Sequence, residues 1–347
     1  MNWNNYISKT AQELPASGIR KIWEMALSMD NVLSLGVGEP DYAPPQKVLD
    51  AAIKSLENKE TSYTSNAGLL PLLTAIRKWY GKRYGVDYTE NEMMLTVGAS
   101  EAIDLAMRVL LDEGDEVLIP DPSYVAYAAE VKLNKGVAVM VPTHLEEGFK
   151  ITPTAIEKAV TPKTKVLLMG YPSNPTGAIL TREELEGIAE VVKKHDLIVV
   201  SDEIYSELTY GRTHTSIAAL PGMKERTLIL NGFSKAYAMT GLRIGFLLAP
   251  AEIIEQAIKI HQYSIVAPAT PIQHAAIVAL NECDDSVVAM REEYEARRDL
   301  IVAGFQKMGL PIAVPKVPSM YSRDISSCGL KCTLIFAVLV LHRTTSP

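Results

Sequence analysis

An α/β fold, with a mostly parallel sheet and helices on both faces, is predicted by two features of this 347-residue chain. Short apolar runs with strand character alternate with helix-patterned segments over about residues 46–280, the order that βαβ units produce. Polar, glycine- and proline-containing turns follow several of those runs, where open α/β sheets carry their ligand groups. At this length the chain holds a large domain plus a smaller one.

Residues 1 to about 30 read as an N-terminal arm leading into a helix, with Ile19, Ile22, Trp23 and Ala26 at helical spacing. Val32 to Leu35 is a short strand running into Gly36-Val37-Gly38-Glu39-Pro40-Asp41. Glycines there serve a turn or a close backbone approach. Residues 46–58 and 70–84 are amphipathic helices flanking the polar loop Thr61 to Gly68, which carries Tyr63. Met93 to Val97 is a strand, and Gly98-Ala99-Ser100-Glu101 opens an apolar-periodic helix. A glycine turn onto a helix N-terminus offers free N–H groups and a positive dipole end, a ready phosphate site, although many α/β turns look the same.

Val117 to Ile119 is the next strand, followed by Pro120-Asp121-Pro122-Ser123-Tyr124. Val137 to Val141 and Lys165 to Met169 are further strands, the second feeding Pro172-Ser173-Asn174-Pro175-Thr176-Gly177. Glu183 to Lys194 is a helix with Thr181 as its N-cap. Leu197 to Val200 ends in Ser201-Asp202-Glu203-Ile204-Tyr205. A carboxylate at that strand end is either a helix cap or a ligand group at the binding edge of the sheet.

The most informative stretch is Thr227 to Pro250, TLILNGFSKAYAMTGLRIGFLLAP. Two apolar runs, Thr227 to Leu230 and Ile244 to Ala249, bracket a loop holding Ser234, Lys235, Thr240, Gly241 and Arg243. A lysine held between buried strands is costly to desolvate, so its pKa falls and its amine becomes nucleophilic. Such amines form Schiff bases with carbonyl compounds, and pyridoxal phosphate (PLP) is the carbonyl cofactor most often held that way. Ser234 and Arg243 would supply a hydroxyl and a guanidinium to its phosphate.

Ser234-Lys235-x7-Arg243-x-Gly245, with Gly241-Leu242 before the arginine, resembles the cofactor-attachment motif of class I aminotransferases of PLP fold type I. The resemblance spans roughly residues 15–315. It implies a homodimer with shared active sites, with Tyr63 reaching the partner's cofactor phosphate. It gives Gly98, Ala99, Ser100, Ser234 and Arg243 to the cofactor's own phosphate site. It stacks Tyr124 on the PLP ring, and hands the phenolic oxygen to Asn174 and Tyr205. It pairs Asp202 with the pyridine nitrogen and assigns substrate contacts to Gly36, Val37 and Asn174. It also implies cis bonds at Asp121–Pro122 and Asn174–Pro175. The implied domains are an N-terminal arm and small-domain segment over 1–45, a PLP-binding domain over 46–284, and a C-terminal small-domain segment over 285–347.

The implied chemistry is ping-pong transfer of an amino group from an L-amino acid to a 2-oxo acid, with Lys235 moving the proton. The SYTSNAG and SDEIYSELTY segments are most similar to bacterial aspartate, aromatic and N-acetyl-diaminopimelate aminotransferases. A β-elimination lyase uses the same scaffold, and a PLP-binding chain of little activity is a third reading. The third is motivated by the C-terminus. Residues 316–325 read KVPSMYSRDI where the family carries G-A-F-Y-x-F-P, and the family's carboxylate-binding arginine has no counterpart after them. Read one nucleotide earlier, the codons for Val317 to Arg323 can spell Gly-Ala-Phe-Tyr-Val-Phe-Pro. The expectation is a frameshifted tail, aberrant after about residue 316, that impairs the enzyme.

Composition narrows the setting. Lys and Arg total 34 against 41 Asp and Glu, a net charge of −7, which favours neither nucleic acid nor an anionic membrane. Three cysteines, all beyond position 280, cannot staple a chain of this size and fit a reducing cytosol. The N-terminus MNWNNYISKTAQELP lacks a basic-then-apolar signal pattern, and the run Leu334 to Leu341 is too short to span a bilayer. The expectation is a cytoplasmic protein. His195, His214, His261 and His274 are scattered and read as surface or packing residues. Cys328-x3-Cys332 with His342 lacks a fourth zinc ligand, so no metal is expected.

Overall fold

The computed structural model describes residues 1–14, 38–309, 312–318, 320–324 and 333–337. The expected helix near Ile19 to Ala26, the strand Val32 to Leu35, and Gly36, Val37, Cys328, Cys332 and His342 lie outside the described residues.

After a short helix α1 (Lys9–Glu13) come α2 (Gln46–Glu57) and α3 (Leu70–Tyr84). Helix α3 stops where Gly85 takes φ +72°, the left-handed conformation that glycine adopts without a steric penalty. Strand β1 (Met93–Thr96) leads into α4 (Gly98–Leu110), then β2 (Glu116–Asp121), α5 (Ala126–Leu133) and β3 (Val137–Pro142). Helix α6 (Pro153–Ala159), β4 (Thr164–Gly170), α7 (Arg182–Lys194) and β5 (Ile198–Asp202) continue the alternation. Thr181 caps α7 as its sequence predicts: its hydroxyl accepts from the Glu184 N–H at 3.2 Å while Glu184 accepts from the Thr181 N–H at 2.7 Å. Strands β6 (Thr227–Gly232) and β7 (Gly245–Leu248) precede α8 (Ala251–Ser264), α9 (Thr270–Glu282) and the long α10 (Asp284–Lys307).

Strands β1 to β7 form one sheet in the order β1-β7-β6-β5-β4-β2-β3. Only β7 runs against its neighbours, so the sheet is mostly parallel as expected. Alternate side chains feed opposite faces. Val166, Leu168, Leu228, Leu230 and Leu247 pack with Ile103 and Leu105 of α4 and Ile254 of α8. Leu167 and Val199 pack on the other face with Leu185, Ile188 and Val192 of α7, and Ile229, Phe246 and Leu248 pack with Ile76 and Tyr80 of α3. Each such fully buried aliphatic side chain contributes about 1.5–3 kcal/mol relative to exposure.

Reversing β7 has a steric condition. A Cβ on Gly245 would lie 2.7 Å from the Gly98 carbonyl carbon and 2.8 Å from the Ala99 nitrogen. The strand start and the helix start can touch only because residue 245 has no side chain.

The peptide bonds before Pro122 and Pro175 are cis, as the resemblance implies, and so is the bond before Pro172, which was not anticipated. The C-terminal tail contains a backbone hairpin that its sequence did not suggest. Strand β8 (Met320–Asp324) pairs antiparallel with β9 (Thr333–Ala337), Met320 opposite Ala337. The segment before it docks on the rest of the chain, with Lys316 N–H bonded to Gly177 O at 2.8 Å and Arg298 donating to Pro315 O at 2.7 Å.

Candidate active site

The direction of each strand decides what reaches the site. Strands β2, β4, β5 and β6 are parallel and end on one edge of the sheet, at Asp121, Gly170, Asp202 and Gly232. Strand β7 is reversed and therefore begins on that edge at Gly245. Its other neighbour β1 ends there, with Thr96 opposite Gly245. One edge thus collects the turns carrying Tyr124, Asn174, Asp202 with Tyr205, Ser234 with Lys235, Arg243, and Gly98 to Ser100.

Asp202 is 6% exposed, and its neighbours engage both oxygens. Its Oδ1 accepts the Ile204 N–H at 3.1 Å and its Oδ2 accepts the Tyr127 hydroxyl at 2.8 Å. The residue therefore does make a local cap-like bond, but its second oxygen is held by a tyrosine of α5. Burial raises its pKa above the usual carboxylate range, and the two hydrogen bonds and the charge of Lys235 oppose that rise.

Lys235 is partly buried, and its Nζ donates to the Gly38 carbonyl at 2.7 Å and stands 5.7 Å from the centre of the Tyr205 ring. Its pKa is lowered as expected, first by desolvation and then by the neighbouring Arg243 charge, with Glu39 and Asp202 acting against them. The Glu39 carboxylate accepts from the Thr240 hydroxyl, and this bond ties the Gly38–Glu39 segment across the lysine loop.

Arg243 holds φ +52° and donates from Nη1 to Thr240 O at 3.0 Å, which turns its guanidinium over the start of α4. There a Cβ on Gly98, itself at φ +74°, would meet Nη2 at 2.7 Å. Helix α4 has no side chain capping its first turn, so its leading N–H groups and Arg243 form a cationic corner. Ala99 is half-buried, Ser100 exposed, and Ser234 and Asn174 half-buried on the adjoining turns. The Tyr124 ring stands edge-on to Tyr127, with centroids 5.6 Å apart, and Tyr205 is buried.

Tyr63 is the candidate the fold leaves apart: it is 87% exposed. Its loop is nevertheless fixed, because Thr270 donates to Ser62 O at 2.7 Å and Asn66 donates to Val266 O at 2.8 Å.

Sequence reading missed Tyr127 and Glu39. Tyr127 lies in the first turn of α5, three residues beyond Tyr124, and its N–H donates to the Tyr124 carbonyl at 3.0 Å. Its hydroxyl fits because Gly170 has no side chain; a Cβ there would sit 2.2 Å from the Tyr127 oxygen. Glu39 left no comparable signal, since it reaches the site only through a long-range contact. Among the described residues, no group of three metal-ligating side chains occurs and no helix is long and apolar enough to cross a membrane.

A buried carboxylate, an amine of lowered pKa and an uncapped helix start beside an arginine thus share one edge of an α/β sheet. The chain belongs to the aminotransferase class I and II family, which matches residues 30–327. It is 43% identical over 318 residues to the aspartate aminotransferase of Pyrococcus abyssi, covering 90% of this chain and 82% of that protein. It is 41% identical over 328 residues to aromatic-amino-acid aminotransferase 2 of Thermococcus litoralis, covering 93% and 84%. The solved structure of Thermus thermophilus aspartate aminotransferase with maleate superposes with a TM-score of 0.89 at 35% identity, covering 92% of this chain and 85% of that one. The protein is thus an amino-group-transferring enzyme of the PLP fold type I architecture. Enzymes of this family are generally PLP-dependent and act on amino acids and 2-oxo acids.

Proposed function

We propose that this chain moves an amino group from an L-amino acid to a 2-oxo acid by a ping-pong route, with PLP held covalently by Lys235. The supporting observation is the placement of the Lys235 amine and the Asp202 carboxylate on the same sheet edge, each within the other's electrostatic reach. The residues present suit the group. An uncapped helix start with Arg243 beside it suits a phosphate, a buried carboxylate suits a protonated ring nitrogen, and a desolvated amine suits an aldehyde.

When bound, PLP supplies an electron sink for the charge that develops when an amino acid loses its α-proton. The protein's share is positional. Gly98, Ala99, Ser100, Ser234 and Arg243 would anchor the phosphate, and Tyr124 would cover the ring. Asn174 and Tyr205 would hold the phenolic oxygen, and Asp202 would keep the ring nitrogen protonated. Lys235 would hold the aldehyde and move the substrate's α-proton. Gly36, Val37 and Asn174 are the substrate-side contacts in this reading. Aspartate and aromatic amino acids are the donors to try first, given the relatives' names.

The test is a single-turnover assay. Incubated with PLP and a donor but no acceptor, the enzyme should release one equivalent of 2-oxo acid per site and no ammonia. Ammonia released together with pyruvate would replace transfer by elimination.

We also propose a homodimer in which Tyr63 completes the partner's site. The support is a ring left in solvent on a loop whose backbone is firmly tied. Mixing Tyr63→Phe with Lys235→Ala subunits should yield hybrids with one site free of both changes, and activity above the sum of the two parents. Activity no greater than that sum would refute the shared site.

A further inference from the structure

We propose that His261 is a positioning residue for the phosphate-receiving turn Val97 to Ser100, acting through Glu101; this rests on reading that turn as the PLP phosphate site. The problem it solves is visible in the sequence of α4. Glu101 sits in the first turn, where a carboxylate favours the helix but competes with an incoming anion for the same N–H groups. In the fold the Glu101 carboxylate turns away from that task. Its Oε2 accepts the N–H of Val97, the residue before the helix, at 2.5 Å. Its Oε1 lies 2.6 Å from Nδ1 of His261, on the last turn of α8. Both oxygens are thus occupied, and the leading N–H groups of α4 have no side-chain cap.

His261 is fully buried, and its other ring nitrogen, Nε2, has no hydrogen-bond partner among the described residues. Buried polar atoms are normally paired, and an apolar side chain would fill this space without the penalty. The ring is therefore placed for what Nδ1 does. With the hydrogen on Nδ1, the ring donates to Glu101 and leaves only a bare lone pair unpaired on Nε2. That donation fixes the carboxylate, which fixes the Val97 N–H, which sets how Gly98, Ala99 and Ser100 face an anion. The chain of contacts runs from α8 through Glu101 to the turn and does not include Lys235, whose amine bonds the Gly38 carbonyl.

The two ends can be separated by comparing PLP with pyridoxal, the same aldehyde lacking the phosphate. Both are titrated by visible absorbance against the whole chain and against His261→Phe, which keeps a ring but no donor. The expected result is that His261→Phe weakens PLP about ten-fold, the loss of one charge-assisted contact, and leaves pyridoxal within about two-fold. His261→Asn, whose amide can donate to Glu101, should recover most of the PLP affinity. An unchanged PLP-to-pyridoxal ratio in His261→Phe, or equal losses for both aldehydes, overturns the proposal. Should His261→Phe not fold, His261→Met is read the same way, and failure of both to fold assigns the ring to structure alone and also overturns it. A wild-type protein that binds the two aldehydes equally would instead refute the phosphate reading of the turn.

Discussion

Lys235→Ala is expected to remove the covalent hold on PLP and to lower kcat/KM for every donor by at least about 10⁴-fold, since the proposed function makes one side chain both attachment point and proton carrier. The motivation is a partly buried amine with a lowered pKa, hydrogen-bonded to the Gly38 carbonyl at the site. Borohydride reduction followed by peptide mass analysis should locate the cofactor on residue 235 in the wild type and nowhere in the variant. A trapped adduct elsewhere, or activity within about ten-fold of wild type, would show that another amine does the work. The lowered pKa adds a pH signature. Attachment requires the neutral amine, so its rate should rise with pH and level off below the value near 10.4 of an ordinary lysine.

Asp202→Asn is expected to separate stability from activity. Burial raises the Asp202 pKa above its unfolded value of about 3.9. A group so raised contributes its full stability below the unfolded value, and that contribution is lost as pH rises through the folded one. The charged carboxylate is thus the form that burial penalises, and the uncharged asparagine avoids that penalty. The variant's Tm without PLP should equal or exceed that of the wild type at pH 7, while amino transfer should fall by at least about 10²-fold under the proposal that Asp202 partners the ring nitrogen. A variant that loses Tm and activity together would make Asp202 a structural residue. One that keeps its activity would remove it from the mechanism.

What the sequence disclosed and what it withheld divide along a physical line. Strand runs such as Thr227 to Leu230 are legible because a fully buried strand needs continuous apolar residues, and β6 is buried along its whole length. Thr181 is legible as a cap because Glu184 stands three residues on, the spacing of a reciprocal backbone bond. The reversal of β7 is not written in any local pattern; it depends on Gly245 and Gly98 touching across more than a hundred residues. Tyr127 and His261 share that obscurity. Nothing around Tyr127 distinguishes it from a packing tyrosine, and the His261 contact with Glu101, 2.6 Å from its ring, joins residues 160 positions apart. The frameshift reading of the tail likewise carried no hint of the β8–β9 hairpin.

The absent side chain at Gly170 has a consequence for how this site could be tuned. The hydroxyl of Tyr127 lies where a methyl group at 170 would stand, and that hydroxyl is one of two donors opposing the rise in the Asp202 pKa. The acidity of the carboxylate, set first by burial, is therefore also influenced from strand β4, the neighbour of the strand that bears it. Position 170 is a dial: it sets whether the tyrosine can reach the aspartate, and so how strongly that carboxylate's charge is supported.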